Sequence, residues 1–129
     1  MRGSSEPDMD VAAPDDGVVM DVIFECGVLY LELANLADWP ALNVTCSFDP
    51  PLLDVQGRDV AKLPLFSRVE FLGPRRRIRT LLDSSPGYFA RDSATRVTIS
   101  VGYERPDEER RTTQVTHDLE IFRELAYLA

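Results

Sequence analysis

Apolar and polar side chains alternate with a period of two through most of this chain, the signature of strands that bury one face. Between Thr95 and Glu104, Val97, Ile99, Val101 and Tyr103 point one way, and Thr98, Ser100 and Gly102 the other. Leu42 to Phe48 repeats the pattern, with Leu42, Val44, Cys46 and Phe48 inward. Val28 to Leu36 sets Leu29, Leu31 and Leu33 against Tyr30, Glu32 and Ala34, and Val18 to Glu25 sets Met20, Val22 and Phe24 against Val19, Asp21, Ile23 and Glu25. Thr112 to Phe122 aligns Val115, His117, Leu119 and Ile121, and two shorter runs cover Phe66 to Leu72 and Arg76 to Leu82.

Turn-forming residues separate these runs: Cys26-Gly27, Asp38-Trp39-Pro40, Asp49-Pro50-Pro51, Gln56-Gly57, Gly73-Pro74, Ser85-Pro86-Gly87 and Arg105-Pro106-Asp107. Prolines stay out of the strand interiors, where they would remove ladder hydrogen bonds. About seven short strands at such spacing predict an all-β fold, a single antiparallel sandwich over residues 18–122. Helical spacing of Ile121, Leu125 and Leu128 allows one short helix in the tail, residues 123–129.

Composition adds one feature. The 129 residues carry 14 Lys+Arg and 22 Asp+Glu, a formal net charge of -8. Seven of the acidic side chains, from Glu6 to Glu25, lie in the first 25 residues against Arg2 alone, so the body is nearly balanced. Residues 1–17 read as a flexible acidic arm, too polar to offset their ordering entropy. The acidity argues against nucleic acid, whose backbone requires a basic footprint. The longest apolar run, Leu125 to Ala129, is far short of the roughly 20 residues needed to span a bilayer, so no membrane insertion is expected of this chain. With no secretory leader recognisable, the expected location is the cytoplasm, with a virion or other assembly as the alternative.

Candidate chemistry is sparse. Arg75, Arg77 and Arg79 share one face of an extended segment, as either an anion-binding strip for an acidic partner or a charged edge strand that resists aggregation. The chain's own acidic arm, or that of a neighbouring copy, is one such partner. Trp39 and Tyr88 fall in loops, where aromatic rings either anchor a partner or plug an end of the sandwich. Asp49, Asp54 and Asp59 cluster around a Pro-rich loop but lack the spacing of a dedicated calcium loop. Cys26, Cys46 and His117 are too few for a structural zinc site, and no cofactor or metal is expected. The two cysteines read as reduced thiols, Cys46 buried, with a disulfide open if their strands are neighbours. His117 lacks a nucleophile or orienting carboxylate at any suggestive spacing.

Asn35, Pro40, Ala41, Asn43 and Val44 match an Asn-x-Gly-x-x-Pro-Ala-x-Asn-Val segment, with Ala37 where the glycine would stand. The segment from Val69 to Arg75 matches a strand, turn and strand, with its dipeptide reversed to Gly73-Pro74. In these features the chain resembles bacterial Ig-like modules of the kind grouped with CARDB-type domains. That resemblance implies an Ig-like sandwich acting as a non-catalytic spacer or binding domain. The expected function is therefore protein–protein interaction, as a structural or accessory module with a protein partner or a neighbouring copy, in an assembly such as a surface or virion decoration. The alternatives are a carbohydrate-binding module using Trp39 and Tyr88 and, more distantly, a hydrolase centred on His117.

Overall fold

A computed structural model of the protein describes residues 17–106 and 108–123. The expected arm and tail lie outside these residues, apart from Gly17 and Arg123. Seven strands form two antiparallel sheets. β1 (Val18–Glu25), β2 (Val28–Asn35) and β5 (Arg77–Ser84) make one, in the order β1-β2-β5. β4 (Val69–Leu72), β3 (Ala41–Asp49), β6 (Arg96–Glu104) and β7 (Arg110–Asp118) make the other, in the order β4-β3-β6-β7. This is the all-β antiparallel sandwich that the alternation predicts. Most inward residues are those the period assigns: Met20 and Val22 from β1, Leu29, Leu31 and Leu33 from β2, Val44 and Phe48 from β3, and Val97, Ile99, Val101 and Tyr103 from β6 are all buried, whereas Ala41 is buried in place of the expected Leu42 and Ile121 is 57% exposed.

The hairpin turn at Cys26-Gly27 has positive φ at both residues, 52° and 78°, which matches its twist to the flanking strands. Asn43, at φ 49°, lies where the β3–β6 register shifts between Leu42 and Thr45.

Helices depart from expectation. The expected strand from Phe66 begins only at Val69, because Pro64 at the first turn starts α1 (Pro64–Ser67), and Phe66 packs edge-on against Phe48 to close one end of the core. Ser85-Pro86-Gly87 is not a simple turn. Ser84 caps α2 (Ser85–Ala90) by accepting the Gly87 N–H at 3.1 Å. A Cβ on Gly87 would come within 2.7 Å of that Ser84 Oγ, so glycine permits the cap. A 3₁₀ turn covers Val60–Lys62, and β7 ends at Asp118, short of the expected Phe122, because residues 120–123 are helical.

One outer edge of the three-stranded sheet, that of β1, is partly capped by side chains of β7 and of β1 itself. The Gly17 carbonyl accepts from Leu36 N–H, so the odd-numbered residues of β1 face β2 and the even-numbered ones face outward. Thr113 Oγ1 donates to the outward carbonyl of Val18, and His117 Nε2 donates to that of Met20 at 3.0 Å. The Asp21 carboxylate accepts the outward Val22 N–H at 2.8 Å. With three of its outward groups occupied, this edge is a weakened template for another strand.

Candidate functional site

Trp39 and Tyr88 sit at opposite ends of the sandwich, since one follows β2 and the other follows its antiparallel neighbour β5. Trp39 is half-buried, stacked on Tyr103 with ring centroids 5.8 Å apart and covered by the Arg105 guanidinium 4.6 Å from its centroid. Tyr88 is 0% exposed and donates its hydroxyl to the Ala94 carbonyl. Burial pushes its phenol up to about 12, with Arg91 acting in the opposite direction. Both rings plug the ends, and they do not combine into one stacking platform.

The arginine strip is largely neutralised within its own sheet. Arg77 donates to Glu32 Oε1 at 2.9 Å, and Arg79 reaches Glu32 Oε2 at 3.1 Å and Glu25 Oε1 at 3.0 Å while lying over the Tyr30 ring. Hydrogen bonding to Glu32 is the largest influence holding the Arg79 pKa above its usual value. Arg75 pairs with Asp38 at 2.9 Å. Arg76 is exposed and has no ion pair among the described residues.

The loop carboxylates have structural work. Asp54 is buried and accepts the N–H groups of Gln56 and Arg58, both at 2.9 Å, together with the Arg58 guanidinium. Burial acts to raise its pKa, but these donors outweigh that and hold it below the usual carboxylate value. Asp59 caps the 3₁₀ turn, and Asp49 is exposed at the end of β3. No group of three potential metal ligands exists among the described residues. His117 spends its Nε2 hydrogen on Met20, and the Nδ1 side lies 3.9 Å from Asp21 at the sheet edge. Cys26 is exposed and Cys46 half-buried, both as free thiols, and burial pushes the Cys46 thiol up to about 12.

The β3–β4 connection and the α2–β6 loop together form a cleft of about 410 Å³ at the Tyr88 end. Pro51, Leu53 and Ala94 give it apolar walls, and Arg91, Asp92 and Ser93 its polar groups. Arg91 is held by Asp83 Oδ2 at 2.9 Å, by the Leu53 carbonyl at 2.8 Å and by stacking over Tyr88 at 5.1 Å. Leu53 is 45% exposed and Val55 is 55% exposed, on a loop fastened by Asp54 and by the Leu53–Asp59 bridge. Sequence reasoning missed these two residues, although their place between Asp49-Pro50-Pro51 and Gln56-Gly57 marks them as apolar side chains in a loop.

A family model described as a domain of unknown function, DUF8453, matches residues 6–123. The chain belongs to this family. No curated protein and no solved structure matches it. In this DUF8453 domain the outer face of the four-stranded sheet is polar where β3, β6 and β7 meet, while Phe71 of β4 is 63% exposed. Thr45, Ser47, Ser100, Gly102, Arg110 and Thr112 line a shallow recess of about 220 Å³ there. Arg110 lies across Gly102, where an added Cβ would meet its Nη2 at 2.8 Å, and bonds Thr45 Oγ1, the Asn43 carbonyl and Glu104. It straps three strands together. No helix among the described residues is long and apolar enough to cross a membrane.

Proposed function

We propose that this domain is a non-catalytic protein-interaction module, a structural or accessory component that docks onto a protein partner in a larger assembly within the cytoplasm or on an assembled particle. The observation that carries this reading is the pair of exposed aliphatic side chains, Leu53 and Val55, on a loop braced by the buried Asp54 beside an apolar cleft. Aliphatic groups held in place before contact lose little freedom on binding, so more of their burial appears as affinity. Arg91, already oriented at the cleft, adds a directional donor of the kind enriched at interface centres. The covered faces of Trp39 and Tyr88 favour a protein over a sugar as ligand, since sugar stacking needs an open ring face.

A photo-crosslinking residue placed at Leu53 or Val55, in the full chain at native expression, tests this. Discrete adducts at both positions, and none at Ser100 on the polar sheet face, are expected. Labelling that is equal at all three positions, or absent from the loop, contradicts the proposal.

A further inference from the structure

The two loops around the cleft at the Tyr88 end carry unequal charge. Residues 50–59 and 91–95 hold two arginines, Arg58 and Arg91, and three aspartates, Asp54, Asp59 and Asp92. Arg58 is bound by the buried Asp54, with Nη2 2.8 Å from Oδ2. Arg91 is bound by Asp83, itself only 4% exposed, with Nε 2.9 Å from Oδ2. Each of these pairs is neutral. The surplus is therefore negative, and it lies on Asp92, exposed in the cleft wall, and on Asp59, bridged across the loop to Leu53.

This arrangement decides what Arg91 can receive. A guanidinium carries five N–H donors, and Asp83 and the Leu53 carbonyl take two of them. An anion at the other donors would lie close to the Asp83 carboxylate, which already neutralises the charge, and to Asp92 on the next residue. A neutral acceptor such as a peptide carbonyl meets no such repulsion. Stacking over Tyr88 at 5.1 Å keeps the guanidinium in place to meet it. Pro51, Leu53 and Ala94 supply apolar surface alongside, and Asp92 favours a cation in the occupant over an anion.

We infer that the cleft takes an extended, basic segment of a protein partner. Its aliphatic side chain packs against Pro51, Leu53 and Ala94, a backbone carbonyl accepts from Arg91, and a Lys or Arg lies beside Asp92. This rests on the docking role proposed above and adds the chemistry of the partner. The chain's own net charge of -8 favours a different, basic protein over a second copy as the source of the segment.

Titration of the full chain with three short capped peptides tests the inference. The peptides share a central Leu-Val pair and differ in one flanking residue, Lys, Gln or Glu. The amide signals of Leu53, Val55 and Ala94 should shift, with the Lys peptide binding about two- to fivefold tighter than the Gln peptide, as for an exposed ion pair. The Glu peptide should bind more weakly than either, and high salt should narrow the differences. Asp92→Asn should erase the gap between the Lys and Gln peptides and leave the affinity for the Gln peptide unchanged. Asp92 has φ 54°, a conformation that asparagine adopts readily, so this variant keeps the loop. Equal binding of all three peptides overturns the inference while the docking role stands. Tightest binding of the Glu peptide overturns it by assigning Arg91 to a carboxylate. No shift with any peptide also overturns it, and crosslinking from Leu53 and Val55 reports separately whether the docking role falls with it.

Discussion

The Asn35 side-chain amide donates to the Leu72 carbonyl at 3.1 Å, joining positions 37 residues apart. The same Nδ2 donates to the carbonyls of Trp39 at 2.8 Å and Gly73 at 3.1 Å, while Oδ1 accepts the Ala37 N–H at 3.0 Å. One buried side chain thus fastens the β2–β3 turn to the β4–β5 turn and links the two sheets. Asn35→Ala leaves the buried Leu72 carbonyl and the part-buried Trp39 and Gly73 carbonyls without this donor and should cost about 2 to 4 kcal/mol. Chemical denaturation measures this, and a loss under 0.5 kcal/mol would show that the amide is dispensable.

Asp54 makes loop stability depend on pH. Its folded pKa lies below the unfolded value, so the carboxylate contributes stability above the unfolded pKa of about 4 and loses that contribution as pH falls through the folded value. Asp54→Asn should therefore be less stable than the parent at pH 7, with the gap narrowing progressively below about pH 4. Denaturation curves across this range check the sign. A gap independent of pH would contradict it.

The two thiols should react at very different rates. Cys26 is exposed in the hairpin turn, whereas the Cys46 thiol, pushed up to about 12 by burial, holds almost no thiolate at pH 8. A disulfide-exchange reagent should modify one thiol per native chain and two in denaturant. Rapid native labelling of both would contradict the packing of Cys46.

The fold was legible because period-two alternation reports burial directly, as in β6, where Val97, Ile99, Val101 and Tyr103 are all nearly inaccessible. α1 and α2 were not, since Phe66 continues an apolar run and Ser85-Pro86-Gly87 reads as a turn. Their starts depend on Pro64 and on the Ser84 cap, signals one residue wide. The arginine strip was legible as a pattern but not in its occupancy. Glu32 reaches Arg77 and Arg79 only through a register joining strands 45 and 47 residues apart. The exposure of Leu53 and Val55 likewise depends on how Asp54 folds the loop, which spacing does not reveal.

In the proposed role, the loop carrying Leu53 and Val55 serves recognition and not folding. The double variant Leu53→Asp, Val55→Asp tests it most directly, measured for thermal stability and for adduct formation through a photo-crosslinker at Ala94 in the cleft wall. A melting temperature within about 3 °C of the parent is expected for these exposed sites, together with loss of the adduct. A large drop in melting temperature, or an undiminished adduct, would contradict it.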